Sequence, residues 1–310
     1  MLGALLKEAA GILERRFLLN AFLPSLAFTS ALLALVLGTQ TSLSAAADKW
    51  SDQDSALKVV EVVAFVAWVY LLSGLIASQW GNIIRLYEGY WPGPLRFAAR
   101  LGTSWHKRKL GKLDPADAAG YERIYLVYPF PGDESRVAPT TLGNVLRNAE
   151  LYPAYRYGTD AVLMWPRLYN LLPDRLVQLV AEARSSLEFL LVISALSGAF
   201  ALAAGVYLVA VAASWWLFLA CFWGGSALAL IAYRASIPSA FGYAEQLKTA
   251  FDLYRNELLK QLRIPLPSTA AEERARWTEA NLLVYRNMPV TEYVEPAAED
   301  AGEKEPATGS

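Results

Sequence analysis

Long apolar stretches without charged residues constrain this chain more than any other feature of its sequence. They form three blocks, at about 17–38, 58–79 and 187–233. A helix rises 1.5 Å per residue, so about 20 apolar residues cross the ~30 Å hydrocarbon layer of a membrane. The first two blocks each fit one span, and the third, of about 47 residues, fits two. The sequence therefore predicts a mainly α-helical protein with four transmembrane helices.

A cleavable signal peptide is the alternative interpretation of the first block. Arg15 and Arg16 precede the block, and Ala45, Ala46 and Ala47 follow it at the distance of a cleavage site. The apolar core of a signal peptide has about 7–15 residues, whereas this block has more than 20. We therefore expect a retained helix.

Basic residues predict which side of the membrane each end of a span faces. The loop at 39–57 carries only Lys49 as a basic residue, together with three aspartates. The opposite ends of the spans are flanked by basic side chains, which are Lys7, Arg15, Arg16, Arg85, Arg175, Arg184 and Arg234. Lys and Arg are enriched in cytoplasmic loops. We expect both termini on the cytoplasmic side of a plasma membrane or a bacterial inner membrane.

The segments between the spans complete the predicted organisation. Residues 1–16 have an amphipathic pattern, which indicates a helix on the inner leaflet or packed against another helix. The full set is an interfacial helix at 1–16, spans at 17–38, 58–80, 187–210 and 213–234, an outer loop at 39–57, a cytoplasmic region at 81–186, cytoplasmic helices at 239–288 and a disordered acidic tail at 289–310.

Local sequence signals predict one strand and two helices in the segments outside the spans. Residues 121–130 are rich in β-forming side chains, which favours a short strand or extended segment. Thr140 and Thr141 are placed to cap a helix through Ala149, and Thr269 with Glu272 forms a capping box for a helix to about Arg286.

Two long helices are expected to leave the membrane without interruption. The second span should continue as a helix to about Tyr87. Asp174, as an N-cap, should begin a helix that runs directly into the third span. The fourth span should instead break at Pro238, since proline disrupts a helix interior.

The residue inventory argues against most chemistry. A net charge of −1 does not fit a nucleic-acid-binding protein. His106 and Cys221 are the single histidine and the single cysteine, which excludes an internal disulfide and an intrachain zinc site. The sequence has no GxxxxGK[ST] loop, GxSxG elbow or HExxH motif. We expect no catalytic residue, cofactor or metal, with His106 solvated or at the headgroups and Cys221 buried or facing lipid.

Three groups of residues are candidates for binding or packing. Small residues at four-residue steps in the spans favour close helix packing or a pore lining, and they include Ser194, Ser197, Gly198, Ala201, Gly205, Gly225, Gly74 and Ser78. Arginines among aromatics form either an anionic-ligand pocket or a contact with headgroups, and they are Arg156, Trp165, Arg167, Tyr155 and Tyr169. Lys107, Arg108 and Lys109 form either an anionic-lipid contact or only the basic flank of a span.

These patterns favour a non-enzymatic, homo-oligomeric membrane protein, acting as a channel-like pore or membrane effector controlled by its cytoplasmic helices. The alternative is a membrane-anchored receptor or scaffold that docks a cytoplasmic protein, and a lipid-acting enzyme is third. The centres of the spans carry no charge, which disfavours an ion-coupled carrier.

Overall fold

The computed structural model describes residues 15–129 and 133–290. These residues form helices and no strand. A π-helical turn at Leu18–Phe22 leads into the first of eleven helices, which are α1 (Leu23–Gln40), α2 (Leu43–Ser51), α3 (Ser55–Ser78), α4 (Trp80–Glu88), α5 (Arg96–Leu110), α6 (Ala118–Val127), α7 (Thr141–Tyr157), α8 (Ala161–Tyr169), α9 (Asp174–Ala210), α10 (Trp215–Gln261) and α11 (Ala270–Arg286). The predicted mainly α-helical fold is confirmed.

Four helices are long and apolar enough to cross a membrane, as the sequence predicts. Span 1 is Arg15–Gln40 and span 2 is α3, while spans 3 and 4 are the apolar parts of α9 and α10. The turn between spans 3 and 4 is at residues 211–214, where the sequence indicates a break. Residues 1–14 of the predicted interfacial helix and residues 291–310 of the predicted acidic tail lie outside the described residues.

Helices α9 and α10 form an antiparallel hairpin that is the longest structure in the molecule. Their 37 and 47 residues correspond to about 55 and 70 Å. The continuous helix predicted from Asp174 into span 3 is confirmed, although Pro173 rather than Asp174 is the N-cap. The break predicted at Pro238 is wrong, because α10 passes through that residue. Ala240 and Ala244 are buried against α7 and α9, so tertiary packing outweighs the local cost of the proline.

The spans pack mainly as a row. Span 2 contacts span 1, span 1 contacts span 3, and span 3 packs along the length of span 4. Only 11% of the most apolar window of span 2 is buried within the chain, and the same fraction holds for span 4. Most of the apolar surface of these two helices therefore faces outward.

The head is the polar part of the molecule, formed by α6, α7, α8 and α11 around the distal parts of α9 and α10. Its core consists of fully buried side chains, including Met164, Leu168, Phe251, Leu259 and Trp277. Val290 is also buried in this core. The disordered tail predicted from 289 therefore does not begin there, because Val290 packs on the head.

The strand predicted at 121–130 is wrong, because α6 occupies most of this segment. The Asp117 carboxylate accepts a hydrogen bond from the Gly120 N–H at 3.1 Å and caps the helix. The rings of Tyr121 and Tyr125, one turn apart, lie 4.2 Å from each other. A strand needs a partner, whereas a capped helix satisfies its own backbone. Local capping therefore outweighs the β-forming composition.

The predicted caps of α7 and α11 are present. The Thr140 hydroxyl accepts from the Gly143 N–H at 2.9 Å, and the Thr269 hydroxyl accepts from the Glu272 N–H at 3.2 Å. The Glu272 carboxylate accepts from the Ser268 N–H, one residue before the position that a capping box requires. Helix α4 continues span 2 as predicted, after an interruption at Gln79.

Candidate functional site

A charged cluster joins span 1 to span 3 at the end of the spans nearest the head. The Glu188 carboxylate, whose side chain is 10% exposed, accepts from Arg16 Nε at 2.7 Å and from Arg184 Nε at 3.0 Å. Asn20 Nδ2 donates to Glu188 at 3.3 Å and to Ser185 Oγ at 2.9 Å. We call these five residues the boundary cluster. It carries one carboxylate and two guanidinium groups, hence one net positive charge.

Local geometry explains how the cluster forms. Arg184 and Glu188 are four residues apart on α9, so their side chains lie on one face. Arg16 precedes the π-helical turn at Leu18–Phe22. Asn20 lies within this turn and is buried. π-Helical turns inside α-helices are rare, and those that occur are often found at functional sites. A buried carboxylate is stable only when it is paired, which Arg16 and Arg184 provide.

A cavity of about 520 Å³ opens beside the boundary cluster, between span 1, span 2 and α9. Arg16, Asn20 and Glu188 give it a polar end, and Tyr70 and Val192 are among its apolar walls. The rings of Phe17 and Tyr70 meet edge to face at 5.6 Å in the same wall. The arrangement combines an apolar cleft with a residual positive charge.

Several predicted small residues lie in the contact between spans 3 and 4. Ser194 Oγ donates to the Ala229 carbonyl at 2.8 Å and accepts from the Tyr87 hydroxyl at 2.7 Å. A side chain at Gly225 would meet the Ala201 Cβ and the Ser197 carbonyl at 3.0 Å. These residues let the two backbones approach closely.

The other small residues have looser surroundings. A Cβ at Gly205 would lie 3.3 Å from Phe222, and one at Gly198 would lie 3.9 Å from Ala229. Gly74 has no neighbour within 4 Å of a built Cβ, and the Ser78 hydroxyl donates only to the Leu75 carbonyl of its own helix. The structure therefore places Gly74 and Ser78 outside the contacts within the chain.

The structure does not bring the predicted arginine–aromatic group into one pocket. Arg156 Nε donates to the Tyr157 hydroxyl at 3.0 Å, and Tyr155 donates to Asp133 at 3.0 Å. On α8 a separate set forms, in which the rings of Trp165 and Tyr169 lie 5.6 Å apart and Arg167 donates to the Leu163 carbonyl. The first set lies on α7 and the second on α8.

An ionic network that sequence reasoning missed ties α7, α10 and α11 together. Asp252 accepts from the Tyr157 hydroxyl at 2.6 Å and from the Tyr152 hydroxyl at 3.1 Å. Arg255 lies 4.0 Å over the Tyr157 ring and donates to Glu273 at 2.7 Å. Burial, followed by the Asp252 hydrogen bond, raises the pKa of Tyr157 and keeps it a donor. Asp252 lies about 100 residues from its partners along the chain, so no local motif marks it.

His106 is not solvated, and the sequence-based prediction for it is wrong. Its ring is 3% exposed, and Nδ1 is hydrogen-bonded to the Tyr128 hydroxyl at 3.0 Å. Burial, with the nearby charge of Lys109, lowers the pKa of His106 to about 4. The basic run that follows it, at residues 107–109, suggested exposure, but His106 lies on the face of α5 that packs inward.

This burial predicts a pH-dependent stability. Between pH 6.5 and pH 4 the unfolded chain binds a proton at His106 that the folded chain does not, so the free energy of unfolding falls as the pH falls through this window. We expect a loss of about 3 kcal/mol. His106→Phe should remove this part of the slope, measured by thermal unfolding in detergent at several pH values. An unchanged pH slope in His106→Phe would contradict the assignment of this stability loss to His106. Tyr128→Phe is the control for packing, because it removes only the hydroxyl and keeps both the ring and His106.

The described residues contain no group of three or more His, Cys, Asp and Glu side chains that could hold a metal ion. Cys221 lies in span 4 and is partly exposed. Comparison of the chain with protein-family models, curated proteins and solved structures gives no match.

Proposed function

We propose that the protein is a non-enzymatic membrane effector whose head and spans change state together. One observation carries this proposal: α9 and α10 run without interruption from the spans into the core of the head. A packed helical hairpin transmits a displacement along its length, because neither helix contains a loop that could absorb it.

Contacts at the head-side end of the spans support the same coupling. The boundary cluster connects span 1 to α9, and the Tyr87 hydroxyl connects the extension of span 2 to Ser194. The head packs on the same hairpin through Leu187, Leu191 and Ala240. A change in the packing of the head would therefore reach span 1, span 4 and the α4 extension of span 2, all of which contact α9.

The effector is further proposed to be a homo-oligomer with channel-like spans. What supports this is the row of spans, which leaves most of span 2 and span 4 exposed within one chain. The distribution of Lys and Arg supports a head on the cytoplasmic side. The receptor or scaffold alternative stays a prediction.

The mass of the detergent-solubilised complex and ion flux from liposomes test the assembly. We expect a mass of several chains and a measurable flux. Gly74→Leu should reduce both without unfolding the chain, since Gly74 has open space around it. Gly225→Leu is the matched control inside the chain and should destabilise the hairpin by about 1–3 kcal/mol, because Ala201 and Ser197 lie 3.0 Å away. A monomer in tight liposomes would refute the oligomeric channel.

A further inference from the structure

Helix α5 exposes an apolar stripe that no other part of the described chain covers. Phe97, Leu101 and Trp105 follow one another at four-residue steps and are 69%, 56% and 55% exposed. Side chains four residues apart lie on the same face of a helix. His106 and Gly102 lie on the opposite face, which packs against the protein.

A basic cleft of about 680 Å³ adjoins this stripe. Arg96, Arg100 and Lys107 line it from α5, and Arg147 reaches it from α7. Arg147 is held in place by hydrogen bonds to the Tyr90 hydroxyl and the Arg136 carbonyl. The hydroxyl-bearing residues Thr103 and Ser104 also line the cleft. Of these four cations, Lys107 is among the predicted lipid contacts. Arg96 and Arg100 precede it on the same basic amphipathic helix, and Arg147 comes from α7.

A single carboxyl group lines the same cleft. It belongs to Glu88, and burial, with the charge of Glu150 nearby, raises its pKa. Four cationic side chains against one carboxylate leave a net charge of +3 even when Glu88 is ionised. The cleft is therefore suited to an anion. Arginine guanidinium groups bind phosphate oxygens through paired hydrogen bonds.

A chain of contacts places α5 at the level where the spans end. Gly102 packs on the backbone of Pro139, and the next residue, Thr140, donates to the Tyr87 carbonyl at 2.7 Å. The Tyr87 ring stacks on Tyr233 at 5.7 Å, next to Arg234, which terminates the apolar part of span 4. Helix α5 therefore lies beside the polar end of the spans and not at the far end of the head.

We propose that α5 is an interfacial helix whose apolar stripe enters the membrane and whose basic cleft binds the phosphate of an anionic phospholipid. Helices that lie in the plane of the interface combine an apolar face with Lys and Arg on their polar side. Exposed Arg108 lies at the C-terminal end of the stripe, and the Lys109 ammonium lies 4.9 Å over the Trp105 ring. The stripe beside the cleft favours a lipid over a soluble phosphate, since a soluble anion would not cover it.

This inference requires that the spans lie in a membrane, but it does not depend on the effector or on its oligomeric state. Either proposal can fail while the other stands. The two are distinguished because lipid retention is measured per chain, whereas assembly is measured as the mass of the complex.

Native mass spectrometry of the detergent-solubilised protein tests the cleft. It measures how much added phosphatidylglycerol each chain retains, compared with phosphatidylcholine. The double variant Arg96→Gln, Arg100→Gln should bind phosphatidylglycerol roughly 25-fold more weakly, at about fivefold per basic residue near the surface. Both side chains are exposed, so the fold should persist. Arg123→Gln with Arg286→Gln is the charge-matched control, because these exposed arginines lie on α6 and α11. Equal loss in both double variants would overturn the cleft assignment.

Depth of insertion is tested at Leu101 in a Cys221→Ser background, which has no other cysteine. A fluorophore on Leu101→Cys should be quenched by brominated acyl chains in liposomes of phosphatidylcholine with phosphatidylglycerol. A label on Tyr285→Cys, exposed on α11, should not be quenched. Absence of quenching at position 101 overturns the interfacial helix. The double variant Arg96→Gln, Arg100→Gln could instead lose binding of inorganic pyrophosphate while it retains phosphatidylglycerol as the unchanged protein does. That result would assign the cleft to a soluble anion.

Discussion

Replacement of Trp277 by alanine is expected to lower the free energy of unfolding of the head by about 3–5 kcal/mol. Trp277 has the largest fully buried side chain among the described residues, and it packs in a core shared by α7, α8, α10 and α11. Removing its ring leaves a cavity in this core, and the surrounding side chains relax only partly to fill it. Thermal unfolding in detergent, followed by circular dichroism, measures the change.

Two variants separate packing from other effects at this position. Trp277→Phe should cost much less, because the indole N–H has no hydrogen-bond partner among the described residues and contributes only volume. Tyr285→Ala, on the same helix and 76% exposed, should change stability by less than about 0.5 kcal/mol. Similar losses in Trp277→Ala and Tyr285→Ala would contradict the core described here.

Replacement of Glu188 by alanine should destabilise the protein by about 3 kcal/mol. Removing one partner of a buried ion pair leaves the other charge without compensation, which typically costs about 3–5 kcal/mol. The lower figure applies because Arg16 and Arg184 are partly exposed, with 26% and 44% of their side chains accessible. Water therefore recovers part of the loss.

The measurement is the melting temperature in detergent, with Glu182→Ala as the control. Glu182 lies on the same helix but is exposed. The double variant Glu188→Ala, Arg16→Ala should lose less than the sum of the two single variants, since residues in one ion pair are coupled. Strict additivity would show that the boundary cluster does not act as a unit.

Local signals in the sequence predicted most helix positions. The caps at Thr140 and Thr269 and the apolar periodicity from Asp174 depend on neighbouring residues only, so a single sequence carries them. Two errors have different causes. At α6 an aspartate cap outweighed a β-forming composition, and at Pro238 packing on both sides outweighed a helix-breaking residue.

The candidate sites were less predictable, because their residues are distant in the chain. Arg16 and Glu188 are 172 residues apart, and no spacing rule connects them. Sequence reasoning gave Glu188 no partner. For the basic cleft it identified Lys107, while Arg147 comes from another helix and is brought there only by the fold.

The turn between α9 and α10 has a consequence for how the protein is made. Residues 211–214 read Val-Ala-Ala-Ser, and they are all that joins the far ends of spans 3 and 4. No charged side chain in this turn opposes its passage through hydrocarbon. The two helices can therefore enter the bilayer during synthesis as a preformed pair, without the translocation of a folded or highly polar loop. A biogenesis route that handles helical pairs would suit this half of the chain. With the head on the proposed cytoplasmic side, spans 1 and 2 carry the more acidic residues 41–54 across the membrane.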